Sequence, residues 1–253
     1  MTSPWDLYDQ LIDEIPADIT VTQILTDGKW RRVASSEDGV GMAFGMNVQS
    51  RPRATEEPSD LIGRPLRDVA ALAKSWNFED AGIGMAAVNA YHSHPVRALA
   101  HGFTPCKENN WARTFHPYAP LVVGKRVAVI GHFPFAAAAM PDAAQLTILE
   151  RNVFDGDYPD SACEYLLPEM DYVFISGSAF VNKTMPRLLA LSSDAHTVVL
   201  GPSAPASPAI LRAGATTVMS FASAHPARLE DGLAGRSLLG MYDAGMRVEL
   251  SRA

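Results

Sequence analysis

The sequence predicts a protein of the α/β class in two parts, a small α+β unit followed by a unit built on a parallel sheet. In the second part, apolar segments typical of buried strands recur at 126–130, 146–149, 172–175, 197–200 and 217–220. Helix-like segments lie between them, as in the βαβ units that form a parallel sheet. In the first part, Asp27-Gly28 joins two predicted strands by a tight turn and helices follow, which is an α+β order.

Hydrophobic periodicity places the remaining elements. It predicts strands at 19–25, 30–34 and 40–44, an edge strand at 247–250, and helices at 4–12, 66–76, 78–91, 161–167, 185–191, 208–213 and 228–242. Residues 92–120 show no period, and this stretch is too long for an ordinary connection. We therefore expect an N-terminal α+β domain at 1–95, a connector at 96–122 and a C-terminal α/β domain at 123–253.

The composition is that of a globular protein with a sizeable core. Of the 253 residues, 47% are hydrophobic and 19% are charged. The formal net charge of -7 disfavours binding to nucleic-acid phosphates. Two cysteines cannot build a disulfide framework, and the sequence shows no signal segment and no membrane span. We expect a cytoplasmic protein with no nucleic-acid or membrane partner, and homo-oligomer formation is left open.

The residues that follow the predicted strands form a candidate ligand site. Ligands bind outside the carboxyl ends of parallel strands, where small residues let them approach the backbone. The strand-end residues are Gly131, His132, Phe133 and Pro134, then Glu150, then Ser176, Asn182 and Thr184, and finally Gly201, Pro202 and Ser203. We expect these residues to meet at one edge of the sheet and to bind a small molecule or a metal.

The first strand end lacks the glycine-rich turn of a dinucleotide site. Gly131 stands alone, and His-Phe-Pro-Phe follows it. Glu150 does lie about 20 residues further on, where an acidic side chain holds a ribose hydroxyl in such sites. Conventional NAD binding is therefore not expected, whereas an adenine-bearing ligand held differently, such as S-adenosylmethionine, stays open.

A metal site has two candidate locations. His132 and Glu150 offer nitrogen and oxygen ligands from adjacent strand ends, although His132 could equally bond loop carbonyls and Glu150 cap a helix. The histidine-rich stretch 92–116 contains a second set of potential ligands: His92, His94, His101, Cys106 and His116. Their spacing matches no familiar zinc ligand set, so incidental clustering is the simpler explanation.

No nucleophilic enzyme motif is present. Ser176-Gly-Ser178 lacks the second glycine of a nucleophile elbow. Cys163 lies in a predicted helix and is expected to be a buried structural cysteine. Asp155-Gly-Asp157 is typical of turn chemistry. None of these residues specifies a reaction.

Several ordered motifs carry a family resemblance. They are Gly84-Met-Ala-Ala-Val-Asn-Ala90, Val129-Ile-Gly-His-Phe-Pro134, Leu149-Glu150, Val181-Asn-Lys-Thr184 and Leu200-Gly-Pro-Ser203. Together they resemble the DUF364 family, labelled for heavy-metal chelation, with the DUF4213 domain in front. The resemblance implies an enolase N-terminal-like domain, a Rossmann-like domain and a site in the cleft between them.

The resemblance also implies site residues and departures from the family pattern. It adds Asn89 as a residue that reaches the cleft from the last N-terminal helix. Lys183 stands where the family commonly has glycine, and it could exclude or neutralise a ligand. Ser220-Phe-Ala-Ser223 replaces an expected glycine pair and could reshape one wall.

Three hypotheses follow. The first is a protein that binds a heavy metal or a metal chelate between the domains. The second is an enzyme of the transferase or lyase type that binds an adenine-bearing cofactor, with His132 and Glu150 as acid and base. The third is a scaffold without a ligand, which should expose a large apolar patch.

Overall fold

The computed structural model describes residues 3–46, 48, 50–53 and 57–252 of the chain. Its N-terminal part combines four helices with one three-stranded antiparallel sheet. The elements are α1 (Asp6–Asp13), β1 (Val21–Leu25), β2 (Trp30–Ser35), β3 (Val40–Phe44), α2 (Leu66–Ala70), α3 (Phe78–His92) and α4 (Pro95–Ala100). The predicted helix at 66–76 continues beyond α2 as a 3-10 turn that ends at Lys74.

Helix α3 is the central element of this part and packs directly on β3. The Asn77 side chain caps its first turn by accepting from the backbone N–H groups of Glu79 and Asp80, both at 3.0 Å. A Cβ on Gly41 would lie 2.1 Å from the Ala86 carbonyl oxygen. Only glycine at this position therefore lets the strand backbone approach the helix so closely.

The C-terminal part is a mostly parallel sheet with helices between its strands. The elements are β4 (Thr104–Pro105), β5 (Arg126–Ile130), α5 (Ala136–Ala139), β6 (Gln145–Glu150), β7 (Tyr158–Pro159), α6 (Cys163–Leu166), β8 (Tyr172–Ser176), α7 (Met185–Leu191), β9 (His196–Leu200), α8 (Ala209–Arg212), β10 (Thr217–Ser223), α9 (Pro226–Leu233) and β11 (Gly245–Ser251). The spatial order is β4-β11-β10-β9-β8-β5-β6-β7. All pairs from β10 to β7 are parallel, and β11 pairs antiparallel with both its neighbours. The predicted α/β class is confirmed.

Two predictions near the C-terminus are wrong. The helix predicted at 228–242 ends at Leu233, because Gly235 takes the left-handed conformation (φ +74°) that terminates helices. The strand predicted as an edge is covered on its outer side, where Pro105 pairs with Val248. A strand as short as β4 cannot be recognised from periodicity.

Arg247 holds the connector against β11. Its guanidinium is buried and donates to the carbonyl oxygens of Glu108 and Asn110 and to Thr114 Oγ1, at 2.9 to 3.0 Å. The group also lies 4.6 Å from the centre of the Trp111 ring. Several hydrogen bonds from one planar cation thus order a segment that has no periodic structure of its own.

The two parts share one hydrophobic core. Buried side chains of α1 and α3 belong to the same contact cluster as those of β8, β10 and α7. The Tyr8 hydroxyl donates to the Phe180 carbonyl oxygen at 2.7 Å, and the two rings meet edge to face.

The division at 1–95, 96–122 and 123–253 stays a prediction. No helix in the described ranges is long and apolar enough to cross a bilayer.

The Tyr8 bond yields a stability prediction. Tyr8→Phe removes one of two hydrogen bonds to the Phe180 carbonyl oxygen, the other being donated by the Lys183 N–H at 3.3 Å, and we expect it to lower the free energy of unfolding by about 1 kcal/mol. Tyr165→Phe is the matched control, because Tyr165 is 80% exposed and should change stability little. Urea denaturation measures both, and equal effects in the two variants would contradict the prediction.

Candidate functional site

The carboxyl ends of β5, β6, β8 and β9 meet at one edge of the large sheet, as predicted. The chain leaves β5 toward β6 on one side, and β8 pairs with β5 on the other side. Such a reversal of strand order opens a crevice above the sheet. Gly131 lies in this crevice at φ +105°, and a Cβ there would come within 3.1 Å of the Ser176 Cβ.

A cleft with two adjoining cavities occupies this edge. The histidine cavity, about 240 Å³, is lined by Trp30, Phe44, Gly131, His132, Phe133, Glu150, Ser176, Gly177, Ser178, Gly201, Pro202 and Ser203. The arginine cavity, about 290 Å³, includes Phe44, Gly131, Glu150, Ser176, Ser178, Arg151, Asn182, Thr184 and Arg187 in its lining. Both cavities are bounded by Phe44 of the small sheet and by strand ends of the large sheet. The cleft therefore lies between the N-terminal and C-terminal parts.

Every site residue predicted from the sequence lines this cleft except Asn89 and Pro134. Pro134 is exposed beside the cleft. Asn89 is buried behind the cleft wall, where its Nδ2 donates to the Met42 and Pro202 carbonyl oxygens at 2.7 and 3.4 Å. Within the described residues, its Oδ1 has no hydrogen-bond partner. Asn89 thus holds two walls of the cleft together without lining either cavity.

The Glu150 carboxylate accepts hydrogen bonds from backbone N–H groups. One oxygen accepts from the His132 N–H at 2.9 Å, and the other accepts from the N–H groups of Arg151 and Asn152 at 2.6 and 3.2 Å. These bonds satisfy donors at two adjacent strand ends and fix the turns that follow. They explain an acidic residue at this position, and its role in holding a metal or a ribose hydroxyl stays a prediction.

His132 has the opposite arrangement: one ring nitrogen is fixed by a carboxylate, and the other has no hydrogen-bond partner among the described residues. Its Nδ1 lies 2.9 Å from Asp157 Oδ2, and the Asp157 side chain is only 3% exposed. Because an ionised carboxylate only accepts, this contact favours the tautomer of the neutral ring that carries its hydrogen on Nδ1 and presents a lone pair on Nε2. The Phe154 ring stacks on the imidazole at 4.3 Å, which leaves the in-plane Nε2 uncovered. A histidine oriented by a carboxylate in this way is the usual form of a metal-binding histidine.

Asp157 is a candidate site residue that sequence reasoning missed. Its pattern, Asp155-Gly-Asp157, is typical of a turn, and Gly156 does take a left-handed conformation (φ +92°). The turn nonetheless directs Asp157 toward His132, which is 25 residues away in the chain. Only the pairing of β7 with β6 brings these segments together.

The connector does not form the metal site considered from its sequence. Among the described residues, no group of three or more histidine, cysteine, aspartate or glutamate side chains is arranged to hold an ion. His92 is fully buried, and its Nε2 lies 2.8 Å from the Leu11 carbonyl oxygen. Burial raises the pKa of Cys106 to about 11, which keeps it a thiol at neutral pH. His92 is therefore a core residue, whereas His116 is exposed, and the clustering of these residues in sequence does not bring them together in space as a metal-binding group.

Cys163 is the buried structural cysteine that the sequence predicts. It is 5% exposed and belongs to the main hydrophobic cluster. Burial raises its pKa to about 12, so the nucleophilic thiolate is not formed at neutral pH.

Comparison with known proteins identifies the family. A family model for DUF4213 matches residues 8–92, and one for DUF364 matches residues 115–243. Both carry the description "Putative heavy-metal chelation". The chain belongs to the DUF364 family.

Solved DUF364 structures share this fold over its whole length. A DUF364 protein of unknown function from Desulfitobacterium hafniense DCB-2 is 35% identical, with 100% of both chains covered and a TM-score of 0.86. A second one, PH1506 from Pyrococcus horikoshii, is 20% identical, with 99% of this chain and 100% of that chain covered and a TM-score of 0.78. The uncharacterized protein MJ0500 from Methanocaldococcus jannaschii is 27% identical over 190 residues, which are 71% of this chain and 68% of that protein.

The two departures from the DUF364 pattern do not alter the cleft lining. Lys183 lies outside both cavities, and its Nζ donates to the Val181 carbonyl oxygen at 2.9 Å. Ser220 is buried in β10, and its hydroxyl donates to the Ala204 carbonyl oxygen at 2.6 Å. This bond supports the 201–204 loop from behind, so neither residue excludes a ligand from the cleft.

The burial of His92 yields a pH prediction for this DUF364 chain. Burial lowers its pKa to about 4, whereas an unfolded histidine titrates near 6.5. The folded state favours the neutral His92 ring. Its contribution to the free energy of unfolding is therefore complete above about pH 6.5 and is lost as the pH falls from there through 4. The loss amounts to about 3 kcal/mol.

The measurement compares the wild type with His92→Gln, which keeps an amide donor for the Leu11 carbonyl. We expect the wild type to lose stability relative to this variant as the pH falls from 7 to 4, in urea denaturation at each pH. His116→Gln is the control, because His116 is exposed. Parallel curves for the wild type and His92→Gln would show that His92 does not titrate in this window.

Proposed function

We propose that this DUF364 chain binds a heavy-metal ion carried by a small organic chelator, in the cleft formed by the histidine and arginine cavities. The observation that carries the proposal is the His132–Asp157 pair. It leaves one histidine nitrogen free to bind a metal at the edge of a cavity. The family description, "Putative heavy-metal chelation", points to the same chemistry.

The donor set favours a metal chelate over a bare ion. A protein site that holds a transition metal by itself needs three or four ligands. The described residues offer no cluster of three such side chains. Since Glu150 is bonded to backbone N–H groups through both oxygens, His132 is the one strand-end side chain suited to the task. The remaining ligands would then come from the chelator.

The shape of the cleft also favours an organic ligand. The two adjoining cavities, about 240 and 290 Å³, together reach the size range of small-molecule sites. Ile130, Leu149 and Leu188 give the arginine cavity an apolar wall, and Asn182 and Thr184 add polar groups. Arg151 and Arg187 are paired with Asp160 and Glu164, so the rim carries balanced charge.

An enzyme of the transferase or lyase type with an adenine-bearing cofactor is the second candidate. The apolar wall of the arginine cavity favours it, because a flat base can pack there. The backbone bonds of Glu150 oppose the ribose contact on which this hypothesis relied. The enolase N-terminal-like and Rossmann-like assignments, the cytoplasmic location and homo-oligomer formation stay predictions.

Native mass spectrometry of tag-free protein, purified without chelators, distinguishes the candidates when combined with elemental analysis. We expect a bound species whose mass exceeds that of the metal by the mass of an organic molecule, and we expect it to be absent in His132→Ala. His116→Ala should retain it, because His116 is far from the cleft lining and exposed. A shift equal to the metal alone would contradict the chelate, and a metal-free adenine compound would favour the second candidate.

Asp157 provides a second test. Asp157→Asn keeps an oxygen near Nδ1 but removes the charge, so we expect metal-chelate affinity to fall about 10–100-fold. Asp155→Asn is the matched control, because the exposed Asp155 lies in the same turn. Titration calorimetry with a nickel–iminodiacetate complex measures both variants. Equal affinities of the two variants for the complex would mean that Asp157 does not orient His132 for metal binding.

A further inference from the structure

A third cavity lies outside the cleft, between the N-terminal helix and α7. It measures about 500 Å³ and is lined by Ser3, Pro4, Trp5, Tyr8, Trp76, Lys183, Pro186, Arg187 and Ala190. We call it the aromatic pocket. It is larger than either cavity of the cleft, and neither the family description nor the proposed function assigns it a role.

Three aromatic side chains line the pocket: Trp5, Tyr8 and Trp76. Trp5 meets Tyr8 and Trp76 edge to face, with ring centres 5.5 and 5.8 Å apart. Trp76 remains 56% exposed although indole is among the largest apolar side chains. Exposed aromatic surface around a concavity favours a flat apolar ligand that can add further edge-to-face or offset contacts.

Lys183 supplies a cation at this pocket. Its Nζ lies 5.8 Å from the Trp76 ring centre and 5.4 Å from that of Phe78. Among the described residues no carboxylate lines the pocket. The Lys183 Nζ donates one hydrogen bond to the Val181 carbonyl oxygen at 2.9 Å, which leaves further donors on the ammonium. Burial lowers the pKa of Lys183 to about 8, the nearby Asp80 acting in the opposite direction, so the amine is still charged at neutral pH.

The backbone at Lys183 supports a functional reason for this residue. Lys183 has φ +67°, in the left-handed region that glycine adopts without cost. A lysine here costs conformational free energy, and such outliers concentrate at ligand sites. Within the pocket, the second cation, Arg187, is paired with Glu164 through two hydrogen bonds. Lys183 is therefore the pocket's available anion partner.

We propose that the aromatic pocket binds a planar aromatic carboxylate, with its ring against Trp5 and Trp76 and its carboxylate on Lys183. The apolar walls would exclude water from one face of the ring, and the ammonium would donate a charge-assisted hydrogen bond to the carboxylate. The arrangement is independent of the metal-chelate site, although Arg187 lines both regions.

Calorimetric titration with 2-naphthoate tests the proposal, and neutral 2-naphthamide tests its charge dependence. We expect saturable 1:1 binding of naphthoate and about tenfold weaker binding of naphthamide. Lys183→Met should weaken naphthoate binding by about the same factor and leave naphthamide unchanged. Trp76→Ala should weaken both.

Lys74→Met is the matched control. Lys74 also lies over the Trp5 ring, at 5.4 Å, but it pairs with Asp9 and does not line the pocket. His132→Ala should bind naphthoate as the wild type does, which separates this proposal from the metal-chelate site. Lys183→Gly removes the cation and the left-handed strain together, so it serves if the methionine variant folds poorly.

Absence of saturable naphthoate binding would overturn the proposal. Equal affinity for naphthoate and naphthamide would overturn the role of Lys183. An equal loss in Lys74→Met and Lys183→Met would mean that general positive charge, and not this pocket, attracts the acid.

Discussion

The side chain of Asn89 joins the two sheets at the place where the cleft opens. One amide group donates both to a carbonyl of β3 and to a carbonyl of the loop that follows β9. The Phe44 N–H adds a bond of 2.9 Å to Ser203 Oγ, which ties the end of β3 to the same loop. These bonds set the distance between the small sheet and the strand ends, and both cavities of the cleft depend on that distance.

Buried polar groups continue this pattern on the C-terminal side. Ser220 supports the 201–204 loop from beneath, and Ser93 Oγ accepts from the Ala206 N–H at 3.2 Å. Such a network is costly unless each member is satisfied, and once satisfied it holds a single geometry. These bonds order the cleft walls, and ordered walls would lower the entropic cost of binding the proposed ligand.

The two carboxylates near the histidine cavity have different roles because their surroundings differ. Glu150 accepts only from backbone N–H groups, so it shapes the strand ends. Asp157 accepts from an imidazole, so it sets which nitrogen of His132 faces outward. In the proposed complex, His132 is the single protein ligand and the chelator supplies the other metal ligands. The orientation of His132 then matters more, because no other protein side chain helps to position the metal. A planar acid in the aromatic pocket would place a second ligand on the other side of Arg187.

The amino-acid pattern was sufficient to locate the strand-end residues, because apolar runs that end in glycine or polar residues mark the carboxyl ends of parallel strands. Periodicity placed β3, β5 and α7 at their observed bounds. It could not reveal β4, whose two residues pair only because Arg247 holds the connector in place. Periodicity also could not distinguish Glu150 from Asp157, since both are acidic residues near a strand end. Their roles depend on whether a backbone N–H or the His132 ring lies within hydrogen-bond distance of the carboxylate. Three findings could be seen only in the folded structure: Asn89 supports the cleft, His92 is buried, and Lys183 lines an aromatic pocket. Each of them depends on contacts between segments that are distant in the chain.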